Sequence, residues 1–252
     1  MSESLALGYI DKSGPYEHGR PRYPEQAVRF IRQQLHVPHG FSVVDVGSGT
    51  GILTRQLAAA GLPMIGIEPD AQMLAQAKAH SAAGNIEYRS GSAEQLELLS
   101  NSVAALVCGQ SFHWFDAQKA AAEFRRVLAC DNPVVLIWNI RSPDHDVFHR
   151  AYEELLNGLF EHYERTLRID NALDAGIESF YAGLYEERIF DMAQPLDESA
   201  LLARTLSCSY APQPGTHGYR SAVDALKALH RQYQHQGKVV LKYTTRVVYG
   251  RI

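Results

Sequence analysis

The residues able to do chemistry in this 252-residue chain gather in three places. The first is Asp45-Val46-Gly47-Ser48-Gly49-Thr50-Gly51, an acid followed by glycines at alternate positions. Glycines let the backbone turn sharply and come close to a ligand. The first amides of a helix that follows, at the positive end of its dipole, would favour something polar or anionic there; an ordinary turn is the plainer alternative. The second is Glu68, 21 residues beyond Gly47. That is close to the spacing at which an acid ending the next strand accepts hydrogen bonds from ribose hydroxyls. The third is Gln110-Ser111-Phe112-His113-Trp114-Phe115-Asp116. His113, with an unperturbed pKa of about 6.5, suits proton acceptance from a hydroxyl or amine, although a hydrogen-bonded packing histidine has the same composition.

Alternating strands and helices must position these groups. Val43, Val44 and Val46 read as a strand, and Leu53, Leu57 and Ala60 before Gly61 as the helix after the glycines. Pro63–Ile67 is a second strand, Asp70 caps a helix over Ala71–His80, and Asn85–Arg89 is a third strand leading to Gly91-Ser92-Ala93-Glu94. Val103–Cys108 fits a buried strand, Asp116 a cap for a helix presenting Phe124, Val127 and Leu128, and Pro133–Asn139 a fifth strand. This rhythm predicts a parallel α/β sheet with right-handed crossovers. From Arg141 to Gly183 the rhythm stops, and Phe148, Tyr152, Leu155, Leu159 and Tyr163 predict one long amphipathic helix, an inserted lid. A sixth strand over Leu184–Met192 and a short helix over Asp197–Leu206 follow. A helix striped by Ala222, Leu226, Leu229 and Tyr233 and ended by Gly237 then leads to a last strand, Lys238–Tyr249, alternating through Val240, Tyr243, Thr245 and Val247.

Ile52 stands where a dinucleotide fingerprint wants its third glycine or alanine, so a nicotinamide dehydrogenase falls behind. Asp45 and Glu68 make the crevice acidic, which suits the ammonium and sulfonium of S-adenosylmethionine better than a pyrophosphate. The run V-V-D-V-G-S-G-T-G, followed by I-G-I-E-P, resembles motif I and the acidic strand end of class I S-adenosylmethionine-dependent methyltransferases. Y-x6-Y-x3-R-P-x-Y-P (Tyr9 to Pro24) and Q-S-F-H-W-F-D (Gln110 to Asp116) are similar to segments of the trans-aconitate methyltransferase-like group.

The resemblance implies a single domain over 1–252: a Rossmann-like, doubly wound seven-stranded sheet, mostly parallel, with its last strand antiparallel. It also implies an N-terminal arm (1–24) closing over the cofactor and a helical lid insertion (141–183). Arg20 would pair with the methionine carboxylate of S-adenosylmethionine, Asp45, Gly47, Ser48 and Gly49 would form the cofactor loop, and Glu68 would hold the ribose. Pro69 and Met73 would flank ribose and adenine, although Met73 reads as core on spacing alone. Ser92, Ala93 or Glu94 would read the adenine edge, Glu94 being equally a first-turn helix carboxylate. Gln110 and His113 would lie in the loop facing the methyl, with His113 as base or positioning group. Trp114 and Phe115 read equally as packing or as substrate walls.

A net charge of −4 leaves no basic excess for a nucleic acid or an anionic membrane, which favours a small-molecule substrate. Three scattered cysteines support neither a disulfide framework nor a zinc site and fit a reducing cytoplasm. No apolar run of about 18 residues is present to cross a bilayer. The expected activity is methyl transfer to a small acceptor, a carboxylate or a hydroxyl; a non-catalytic S-adenosylmethionine-binding module shares the same motifs.

Overall fold

The computed structural model describes residues 19–81, 84–129, 132–160, 163–208 and 210–252. Tyr9 and Tyr16 of the expected arm lie outside them. Seven strands form one sheet: β1 (Val43–Val46), β2 (Met64–Ile67), β3 (Ile86–Arg89), β4 (Ala105–Gly109), β5 (Val134–Ile140), β6 (Tyr185–Leu196) and β7 (Val239–Gly250). Their order is β3-β2-β1-β4-β5-β7-β6. The pairs β1·β2, β1·β4, β2·β3 and β4·β5 are parallel, and β7 lies antiparallel on β5. The order reverses between β1 and β4, the switch point outside which ligands bind in open α/β sheets. The doubly wound, mostly parallel Rossmann-like sheet is as expected.

The chain divides into two compact units. The sheet unit comprises Arg22–Ile140, Asn171–Met192 and Thr244–Ile252. Its central strands are buried on both faces because successive side chains enter opposite cores. On one face Val43, Met64, Ala105, Val107, Val135 and Ile137 pack with Ala27, Val28 and Ile31 of α1 (Glu25–Gln34) and Leu53 and Leu57 of α2 (Ile52–Ala59). On the other, Val44, Val46, Leu106, Cys108 and Leu136 pack with Phe124 and Val127 of α4 (Ala117–Val127) and with Ile177 and Phe180. Between these in sequence, α3 (Ala71–Ala79) is capped by Asp70, whose carboxylate accepts from the Gln72 and Met73 amides.

The second unit comprises Arg141–Asp170, Ala193–Tyr243 and the described part of Met1–Pro21. It holds α5 (Val147–Leu159), the first part of α6 (Tyr163–Tyr181), α7 (Glu198–Leu206) and α8 (Tyr219–Tyr233). The stretch expected as one long lid helix is thus two helices, and their residues divide between the two units. The buried stripe of α5 runs Phe148, Tyr152, Leu156 rather than through Leu155 and Leu159; Leu159 is exposed. Two further expectations shift. Gly237 lies in the His235–Lys238 turn and not at the end of α8, whose C-cap is Gln234. In β7 the buried positions are Val239, Leu241, Tyr243, Thr245, Val247, Val248 and Tyr249, and Val240 is exposed. Among the described residues no helix is long and apolar enough to cross a membrane.

Candidate functional site

In the sheet unit the C-terminal ends of β1, β2, β3, β4 and β5 bring the expected residues together. All three loop glycines have positive φ (Gly47 68°, Gly49 55°, Gly51 81°), a conformation costly for any other residue. Their surroundings differ. A Cβ on Gly47 would stand 2.6 Å from the Ser111 Cβ, and one on Gly51 would collide with the Tyr88 phenol. A Cβ on Gly49 would meet nothing within 4 Å. Gly49 therefore presents the open, approachable backbone.

Four of the loop amides already have protein acceptors. Gly47 N and Ser48 N both donate to the Ile67 carbonyl (2.8 and 3.0 Å), and Gly51 N donates to the Ser48 carbonyl. Gly49 N donates to Glu68 Oε2 at 2.7 Å. With these four amides bound to protein acceptors and a carboxylate seated on the loop, a phosphate would meet the repulsion of Glu68. This weighs against a dinucleotide and removes most of the case for a dehydrogenase.

Glu68 spans the loop: Oε2 takes Gly49 N and Oε1 takes Asp70 N at 3.0 Å. Burial raises its pKa, opposed by these two amides. A carboxylate has roughly four acceptor sites, so each oxygen keeps a lone pair for a ligand hydroxyl. Asp45 is almost wholly buried, and its Oδ2 accepts from the Thr54 hydroxyl at 2.6 Å. Desolvation, with the repulsion of Glu68, raises its pKa to about 7. Among the described residues Asp45 Oδ1, Ser48 Oγ and Thr50 Oγ1 are buried without a hydrogen-bond partner. Orphaned polar atoms are uncommon in folded interiors and call for an explanation. Three within six residues of a binding loop fit a ligand bearing several hydrogen-bond donors and acceptors. Nothing in the sequence distinguishes Thr50, Thr54 and Ser111 from other helix-start or turn hydroxyls.

The remaining residues take clear positions. Met73 is buried and Pro69 exposed. Ser92 pairs with Gln95 in a tight turn, and Ala93 beside it is buried. Glu94 Oε1 accepts from the Asp116 amide at 2.9 Å, fastening the turn after β3 to the start of α4. Gln110 has φ 58°, and its side-chain amide donates to the Asn139 carbonyl at 3.2 Å, linking the β4 and β5 ends. Ser111 Oγ donates to the Val46 carbonyl at 2.7 Å and locks the β4 loop to β1. His113 sits in a short 3-10 turn, Phe112–Trp114, its ring 4.9 Å from that of Trp114. Among the described residues no hydrogen bond holds that ring, and burial lowers its pKa to about 4, so it is a weaker base than its sequence suggests. Phe115 packs on Phe112 and Phe124, whereas Trp114 is 47% exposed. Arg20 falls in the second unit, where its guanidinium reaches the Ser207 carbonyl at 3.4 Å. Among the described residues no cluster of acids, histidines and cysteines could hold a metal ion.

Residues 44–134 match the methyltransferase domain family. An uncharacterized methyltransferase of Mycobacterium tuberculosis is 34% identical over 137 residues, 54% of each chain. One from Schizosaccharomyces pombe is 35% identical over 127 residues, 50% of each chain. The matches thus span about half the length of the curated relatives. In three dimensions the chain is similar to a solved structure from Anaeromyxobacter dehalogenans assigned to the type II methyltransferases. That likeness has a TM-score of 0.66 at 20% identity and covers 92% of this chain and 97% of the other. Residues 44–134 are therefore similar to a methyltransferase domain, and the chain shares the fold of that solved structure.

Proposed function

We propose that the chain binds S-adenosylmethionine in the crevice of the sheet unit and transfers its methyl group to a small-molecule acceptor. The observation that carries this reading is Glu68 seated across the glycine loop beside three orphaned, buried polar atoms. When bound, the cofactor supplies an electrophilic methyl on a sulfonium, which leaves as a neutral thioether. The free lone pairs of Glu68 accept from the ribose hydroxyls, and the open face of Gly49 admits the cofactor close to the backbone. Asp45 faces positive charge and is ionised by it, since a nearby cation offsets the burial that raises its pKa. Met73, with Ser92 and Ala93, borders the adenine.

The protein's work in such a displacement is positioning and exclusion of water more than proton transfer. His113, neutral at pH 7, fits that division as a group that orients an acceptor hydroxyl or carboxylate. The net charge of −4 supports a small acceptor over a nucleic acid. Incubating the protein with methyl-labelled cofactor and fractionated metabolite pools tests the reading. Label should pass into a low-molecular-weight product; binding of cofactor with no transfer to any pool would instead indicate a non-catalytic cofactor-binding module.

A further inference from the structure

Within the sheet unit, Asp45 on the strand β1 faces an acidic group from each flanking strand. Glu68 stands just past the end of β2, and the Cys108 thiol belongs to β4. From α2 the Thr54 hydroxyl donates to Asp45 Oδ2 at 2.6 Å. Asp45 Oδ1 is buried without a hydrogen-bond partner among the described residues. The charged groups acting on Asp45, Glu68 and Cys108 are Glu68, Asp70 and Asp45, all of them acidic. Among the described residues no ion pair reaches any of the three. The ionised form of Asp45 therefore has neither water nor a counter-charge in the free protein. A carboxylate so placed takes up a proton instead, and Asp45 does so near neutrality, with its pKa raised to about 7.

S-adenosylmethionine carries a sulfonium and an ammonium against one carboxylate, an excess of one positive charge. An opposite charge at close range lowers the pKa of a carboxyl group by about 1–3. Asp45, which holds a proton about half the time at pH 7 in the free protein, gives it up as the cofactor enters. Binding and deprotonation are then linked, with a definite sign. Below neutrality the cofactor must displace a proton and binds more weakly; above it Asp45 is already ionised and the dependence fades.

We propose that Asp45, oriented by Thr54, makes cofactor occupancy proton-gated: the free protein keeps a proton on this carboxyl, the cofactor expels it, and acidification weakens the protein's hold on the cofactor. This regulation rests on the reading that the crevice binds S-adenosylmethionine. Calorimetric titration of the full chain with S-adenosylmethionine at pH 7, in phosphate and in imidazole, tests it, because the two buffers take up a proton with different heats. Wild type should release about half a proton more per cofactor bound than Asp45→Asn, which cannot ionise. Between pH 8 and pH 6 wild type should lose about tenfold more affinity than that variant, for a pKa lowered by about two on binding. The comparison cancels the cofactor's own amine, which titrates near pH 8. Thr54→Val removes a bond that favours the ionised carboxylate, so it should move the pH profile of binding to higher pH, and Thr54→Ser should restore it. Binding to wild type with equal heats in the two buffers, or equal proton release by wild type and Asp45→Asn, would overturn the gate and leave the cofactor reading standing. No binding of S-adenosylmethionine to wild type at any pH would overturn both.

Discussion

Asp45 offers a quantitative test of how the crevice is built. Its carboxyl is about 1% exposed, gives one oxygen to Thr54, and faces Glu68 and the buried thiol of Cys108. Burial raises its pKa from 3.8 to about 7. A carboxyl whose folded pKa is raised stabilises the fold fully below its unfolded pKa, and that contribution is lost as pH rises through the folded value. The whole change is worth about 4 kcal/mol, at about 1.4 kcal/mol per tenfold in proton affinity, of which about 3 falls between pH 5 and pH 8.5. Asp45→Asn keeps the shape and cannot ionise. Urea unfolding of the cofactor-free protein at the two pH values should therefore show the variant gaining about 3 kcal/mol on wild type between pH 5 and pH 8.5. The comparison cancels the titrating groups that do not interact with Asp45. A difference between the two proteins that does not change with pH would refute the assignment of a buried, largely protonated Asp45.

Two further predictions separate the roles of neighbouring groups. Gly49→Ala should cost only the strain of a left-handed alanine, about 1–2 kcal/mol, yet weaken cofactor binding by calorimetry. Gly51→Ala, whose methyl meets the Tyr88 phenol, should lose about 1–3 kcal/mol more in urea unfolding. Because burial holds His113 near a pKa of 4, its protonation should leave no inflection near pH 6.5 in the wild-type rate profile, and His113→Gln should act mainly on acceptor KM.

The alternating apolar runs made the sheet legible, because strands buried on both faces leave continuous β-branched segments and their connections admit few topologies. Glu68 was legible for the same reason, since a strand end and a spacing define it. What the loop amides do was not, because whether Gly47 and Ser48 face a ligand or the Ile67 carbonyl depends on a neighbouring strand. The stripe of α5 was ambiguous because Leu155 and Leu156 stand three and four residues after Tyr152, both helical neighbours; packing chose Leu156. Val240 was misplaced for a similar reason, since adjacent valines at 239 and 240 fit either register and a one-residue slip exchanges the faces. The pairing of Arg204 with Tyr243 and Cys208 leaves no trace in local sequence, Tyr243 lying 39 residues away.

The central claim is that Glu68 and the glycine loop hold S-adenosylmethionine. Isothermal calorimetry of wild type and Glu68→Ala with S-adenosylmethionine tests it most directly. Wild type should bind one equivalent, displaced by S-adenosylhomocysteine, and Glu68→Ala should lose about 1.5–3 kcal/mol, the worth of hydrogen bonds to a charged group. Absence of binding to wild type, or affinity of the variant within about twofold of it, roughly 0.4 kcal/mol, would contradict the claim.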